Sequence, residues 1–167
     1  MTRIPLSLRN IDVDEKRRAF SVALRMLARR DATVAEIERR LNDKGIASPL
    51  IDETVVHLQE KGFLDDRRFA RQWAESAIRS GRGFGPRIRL ELERRGVPPD
   101  IVAEELAGLA GEYEELELIS ALLAKKFQGF AAANATDREK HRVMQYFKRR
   151  GFSTAAIIQA FRMGDDL

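Results

Sequence analysis

Apolar residues recur along this chain at the three- and four-residue spacing of helix faces, and glycines interrupt the recurrence at long, similar intervals. Within residues 83–100, Ile88 and Leu92 share one face while Arg87, Arg89, Glu93 and Arg94 point away from it. Gly83 and Gly85 give the entry loop its freedom, and Pro86 suits a first helical turn, where a missing N–H costs nothing. Gly96 then stops the helix behind Arg94 and Arg95, whose charges suit its carbonyl end. Pro98 and Pro99 open the next helix.

This device occurs three times. Eight residues before Gly45, Gly96 and Gly151 stand Ile37, Ile88 and Val143, and four before them stand Leu41, Leu92 and Phe147. One residue after come Ile46, Val97 and Phe152; six after, Ile51, Val102 and Ile157; ten after, Val55, Leu106 and Phe161. The three glycines lie 51 and 55 residues apart, the mark of a stacked array of helical units.

In chain order, residues 1–14 read as a flexible tail and a helix follows from Glu15 to about Arg29. Thr33 with Glu36 forms a capping-box pattern for a helix through Ile37 and Leu41, and Ser48-Pro49 opens a third through Ile51, Val55 and Leu58. At the junction Phe63-Leu64-Asp65-Asp66, the aspartates are placed to cap the next helix, with Phe63 and Phe69 as a staple and Trp73 as its largest anchor. The acidic run from Glu112 to Glu117 suits another helix start. Beyond it, the link from Gln128 to Thr136 is longer than its counterparts, Asp137 is placed to cap the penultimate helix and Ser153 the last. No alternating run signals a strand. The expectation is an all-α chain, an elongated array of three tandem three-helix repeats at 15–64, 65–110 and 111–167.

Composition narrows the chemistry. The 167 residues are 44% hydrophobic and 34% charged, with no cysteine, which excludes a disulfide frame and thiol catalysis. His57 and His141 are the two histidines and stand far apart, so no metal is expected. No segment has signal or membrane-spanning length, and a cytoplasmic protein is expected. Gly81-Arg82-Gly83-Phe84-Gly85 lacks both a preceding strand and a following Lys-Ser or Lys-Thr, so it reads as a helix-entry loop rather than a phosphate cradle. Asp65 and Asp66 read as caps, and no nucleophile is placed with His57; neither an enzyme nor a cofactor is expected.

The Phe63-Leu64-Asp65-Asp66-x-x-Phe69-Ala70 junction, the run Gly83-x-Gly85-Pro86-x-Ile88-x-x-Glu91-Leu92, the stop Arg95-Gly96-Val97 and the terminal Arg150-Gly151-Phe152-Ser153 together resemble the RecX family of recombinase regulators, over roughly residues 19–163. That resemblance implies an elongated curved array that binds the RecA recombinase filament on single-stranded DNA and restrains its growth, ATPase, strand exchange and co-protease activity, within recombination, DNA repair and the SOS response. It would act as a monomer, with contact to single-stranded DNA indirect or weak. A sequence-independent nucleic-acid-binding helical repeat module is the alternative.

Net charge is only +4, but it is unevenly spread: residues 79–95 hold six arginines and two glutamates, whereas residues 112–117 hold four glutamates. Arg79, Arg82, Arg87, Arg89, Arg94 and Arg95 are candidates to meet DNA phosphates or acidic recombinase loops, together with Lys148, Arg149 and Arg150. Lys44, Arg95 and Arg150 all precede a repeat glycine, a placement that either compensates a helix dipole or forms a stripe. Phe84, in a glycine-flanked loop beside arginines, is a candidate to stack on a base or dock into a partner.

Overall fold

The computed structural model describes the backbone of residues 6–165 and the side chains of residues 13–164. Among these residues the chain is all-α, with nine helices: α1 (Leu6–Leu27), α2 (Val34–Asn42), α3 (Ser48–Glu60), α4 (Asp66–Arg79), α5 (Gly85–Arg94), α6 (Pro99–Ala110), α7 (Glu115–Lys126), α8 (Asp137–Lys148) and α9 (Thr154–Asp165). The expected tail divides. Residues 1–5 lie outside the described residues, but from Leu6 the backbone is already helical, so α1 begins nine residues before Glu15. Pro5, immediately ahead of it in the sequence, is a residue type suited to a helix start.

The chain forms two compact units: the residues up to Phe69 with Arg94–Pro98, and Ala70–Glu93 with the chain from Pro99 onward. In the first, α1, α2 and α3 pack against one another. Ile37, Leu41 and Leu58 are fully buried there with Ala19 and Ala23, whose small side chains let α1 approach closely. In the second, α9 packs on α7 and α8, around Ile119, Val143, Phe147 and Ile157.

The repeat register is a burial register. Ile37, Leu41, Ile88, Leu92, Val143 and Phe147 are each wholly inaccessible, at about 1.5–3 kcal/mol of stabilisation per large apolar side chain. Leu106 is the exception and is half-buried. Gly45, Gly96 and Gly151 take φ of +72°, +84° and +91°, the left-handed region that ends a helix at low cost only for glycine. Behind Gly45, the Ile46 N–H reaches the Leu41 carbonyl at 3.1 Å, and behind Gly151 the Phe152 N–H reaches that of Phe147 at 3.3 Å.

Three caps differ from expectation. Asp65 accepts from the Arg68 N–H at 3.0 Å and caps α4, but Asp66 turns inward and accepts from the Val34 N–H at 2.9 Å, capping α2 instead. The penultimate helix is capped by Thr136 rather than Asp137, through a full capping box with Glu139. Thr33 makes only half a box: its hydroxyl accepts from the Glu36 N–H at 3.2 Å, while the Glu36 carboxylate faces arginines. The staple is absent too, since Phe63 is 52% exposed and Leu64 takes the buried place; Trp73 is half-buried beneath Arg82, and the α4 residues fully enclosed are Ala70, Ala74 and Ala77.

Candidate partner-binding surface

The residues singled out from the sequence fall into three physical groups. Phe84, Arg95 and Arg150 are turned inward and hold repeats together. Thr33 at the N-terminus of α2 donates its hydroxyl proton to the Arg95 carbonyl at 2.7 Å. The Arg95 guanidinium reaches back and grips Glu36 with both nitrogens, at 2.8 and 3.0 Å, while lying 4.4 Å over the Phe69 ring. With the two side chains 19% and 14% exposed, this fork is held away from most water, where charge-assisted bonds are strong. Gly96 completes the joint: a Cβ there would collide with that of Ala35.

The joint recurs in the second unit. At the N-terminus of α5, the Phe84 N–H donates to the Arg150 carbonyl at 2.7 Å, occupying the place that the Thr33 hydroxyl holds toward Arg95. The Phe84 ring stacks on Phe152 at 5.2 Å with an interplanar angle of 4°, so the partner into which it docks belongs to this same chain. Arg150 donates from Nε to the Gly81 carbonyl at 3.0 Å and lies 3.5 Å over Tyr146. A Cβ on Gly151 would strike the Phe84 carbonyl oxygen and the start of α5. Arg95 and Arg150 therefore do not serve as free members of a basic stripe.

Arg79, Arg82, Arg87 and Arg89 are exposed but engaged close by. Arg79 donates to the Tyr113 hydroxyl at 3.2 Å and faces Glu75 at 3.7 Å; Arg82 donates to Ser80 and Ser76 and covers Trp73. Arg87 pairs with Glu91 at 2.8 Å and Arg89 with Glu93 at 3.9 Å, one turn on. Such pairs contribute about 0.3–0.5 kcal/mol, little enough for a partner's anion to displace the glutamate. Arg94, Lys148 and Arg149 form the third group: exposed, with no side-chain partner among the described residues.

Sequence reasoning missed the polar node beneath the first joint. Burial raises the Asp66 carboxyl above its ordinary value; the bond from Val34 opposes this, and the charges of Asp65 and Glu36 add to it. For Glu36, burial also pulls upward, but the bonds and charges of Arg95, then Arg30, outweigh it and leave the carboxyl below its ordinary value. The available signal was the Thr33–Glu36 pair, which reads as a purely local cap. The acidic run also closes on its own unit: Glu112 accepts from Arg71 at 2.6 Å, and Glu115 accepts from the Ser153 hydroxyl at 2.9 Å.

This arrangement supplies exposed cations and interlocked repeats. Among the described residues no group of histidines and carboxylates is placed to hold a metal, and no helix is long and apolar enough to cross a membrane.

Family models for the first, second and third three-helix domains of RecX match residues 19–58, 65–106 and 112–161. A protein of Syntrophotalea carbinolica named regulatory protein RecX is 33% identical over 143 residues, covering 86% of this chain and 94% of its own. One of Chlorobaculum tepidum with the same name is 30% identical over 153 residues, covering 92% of both. The crystal structure of RecX from Lactobacillus salivarius superposes with a TM-score of 0.77 at 19% identity, over 93% of this chain and 99% of that one; at that identity the likeness speaks for the fold.

Proposed function

This chain belongs to the RecX family of regulatory proteins, and from that premise we propose that it binds the RecA recombinase filament on single-stranded DNA and restrains its growth, ATP hydrolysis, strand exchange and co-protease activity. It acts by binding rather than by chemistry, as a monomer in the cytoplasm. The observation that carries this reading is the order and completeness of the three RecX domains from residue 19 to residue 161. The exposed cations supply a physical route. Arg94, Lys148 and Arg149 are free to meet anions of the filament, and Arg87 and Arg89 are held only by weak pairs.

The test is ATP hydrolysis by RecA on circular single-stranded DNA, with this protein added well below one copy per recombinase. A decline at that ratio supports action on the filament. No decline until the DNA is saturated overturns it in favour of competition for DNA. Charge reversal of Arg94, Lys148 and Arg149 together is expected to weaken inhibition without changing the fold, and inhibition that survives it removes these three from the contact surface.

A further inference from the structure

A concentration of positive charge, most of it without a carboxylate partner, lies in the first unit, away from the arginines picked out from the sequence. Where the C-terminal ends of α1 and α2 come together, a depression of about 910 Å³ is lined by Arg25, Arg29, Arg30, Arg40 and Lys44 over a floor of Val22, Met26 and Ala28. No carboxylate lines it. Arg30 shares Glu36 with Arg95, and Arg25 bonds only to the Ser21 carbonyl of its own helix. The side chains of Arg29, Arg40 and Lys44 have no partner among the described residues.

Cations do belong at helix C-termini, but the dipole's influence fades within the last turn. Arg25 occupies that turn of α1, and Arg39 and Arg40 that of α2. Arg29, Arg30 and Lys44 stand beyond both, so helix compensation does not account for them. The arginines of α4 and α5 make the contrast: Arg71, Arg87 and Arg89 each face a glutamate one turn on.

The lining also selects the kind of anion. Its polar side chains are all arginine or lysine, which donate hydrogen bonds and accept none. A peptide would bring N–H donors that these side chains cannot answer, whereas a phosphodiester chain brings acceptors alone. A second depression of about 410 Å³ shares Arg25 and Ala28 and continues along α1 past Leu24 and Phe20 to Arg17. Arg17 and Arg25 lie about 12 Å apart along the helix, with an aromatic ring between them on which a base can rest.

We propose that this groove binds the phosphodiester backbone of single-stranded nucleic acid, with Arg29, Arg40 and Lys44 as phosphate contacts. The site asks nothing of a recombinase and stands or falls independently of that reading.

Fluorescence anisotropy of a labelled oligothymidylate of roughly 20 nucleotides, titrated with the protein alone at several salt concentrations, tests it. Replacing Arg29, Arg40 and Lys44 together by alanine is expected to weaken binding on the order of tenfold or more at low salt, and to flatten the log–log salt slope by about 2, at roughly 0.7 per phosphate contact. The matched control replaces Lys125, Lys126 and Arg138, three exposed cations outside every surface proposed above, by alanine and is expected to keep the wild-type slope. Acetylation of Lys44 in the wild-type protein, read by mass spectrometry, is expected to slow when the oligonucleotide is present; this reports on the site even if the triple variant folds poorly. The proposal is overturned by wild-type protein that leaves the anisotropy unchanged at low salt, by a salt slope that survives the triple substitution, by an equal loss in the control, by Lys44 that stays reactive in the complex, or by oligoglutamate displacing the strand at lower concentration than unlabelled oligothymidylate does.

Discussion

If the joints between repeats are what the glycines serve, then Gly96 and Gly45 should respond differently to the same added methyl group. Both take positive φ, so alanine at either meets the left-handed penalty of about 1–2 kcal/mol, partly offset by about 0.4–1 kcal/mol from a less flexible unfolded chain. At Gly45 that is the whole effect, because a Cβ there meets nothing within 4 Å, and Gly45→Ala is expected to cost about 1 kcal/mol. At Gly96 the new Cβ runs into that of Ala35, which has no flexible end to swing aside, so α2 or the Arg94–Pro98 segment must shift. Overpacking of that kind adds about 1–3 kcal/mol, and the shift also loosens the Thr33–Arg95 bond and the Arg95–Glu36 fork. Gly96→Ala is therefore expected to cost about 2–4 kcal/mol. Urea unfolding followed by far-ultraviolet circular dichroism and Trp73 fluorescence measures both variants, and Ala35→Gly closes a double-mutant cycle. The Gly96→Ala and Ala35→Gly changes should couple favourably by at least about 1 kcal/mol, since removing one methyl makes room for the other. A Gly96→Ala protein no less stable than Gly45→Ala, or a cycle with no coupling, would refute the joint.

Four further outcomes follow from the same contacts. Glu36, held below its ordinary 4.5 because Arg95 and Arg30 outweigh its burial, contributes stability that is present above that pH and lost as pH falls through its folded value, so Glu36→Gln should flatten the acid limb of a urea-midpoint profile below pH 4.5. Asp66 tilts the opposite way: raised above its ordinary 3.8, its contribution is full below that pH and is lost as pH rises through its folded value, so Asp66→Asn should steepen the acid loss rather than flatten it. Phe84→Ala should cost about 2 kcal/mol through the lost stack on Phe152, and a thermal melt identical to wild type would return the ring to a contact role. Arg150→Lys, which cannot both reach Gly81 and lie flat on Tyr146, should cost about 1–2 kcal/mol in the same melt, and no change would place Arg150 back among the free cations.

The helices were legible because their signals are local. Ile37 with Leu41, Ile88 with Leu92 and Val143 with Phe147 announce an apolar face, and a glycine after each announces the stop; all six side chains are buried and all three glycines are left-handed. The start of α1 was not legible, because Glu15 begins the clear apolar period while the helix already runs from Leu6. The candidate surface was legible only as composition. Sequence counts arginines but does not say that Arg95 meets Glu36 across 59 positions or that Arg150 meets Gly81 across 69. Thr33 and Asp66 illustrate the same limit, since both read as caps for their own helices, yet one also ties down the Arg95 carbonyl and the other caps α2 from the start of α4. The basic groove escaped because its charges come from separate stretches, Arg25 with Arg29-Arg30 around the end of α1 and Arg40 with Lys44 around the end of α2, each of which alone looks like ordinary compensation of a helix end.

Among the described residues two such joints form, and the positions equivalent to theirs that take no part in them, Lys44 and Thr136, bond within their own repeats. In a joint, the carbonyl before a repeat glycine accepts a proton from the helix entry of the preceding repeat: Arg95 from Thr33, Arg150 from Phe84. Lys44 holds the corresponding position in the first repeat, and its carbonyl faces the Arg18 guanidinium of α1 at 3.4 Å. At the other end, Thr136 holds the helix entry of the third repeat. Its hydroxyl and its backbone N–H both donate to the Glu139 carboxylate, so these donors are engaged by the helix they begin. Thr33 and Thr136 thus put the same residue type at the same helix entry to different uses: one donates across to the next repeat, and the other caps the helix it begins.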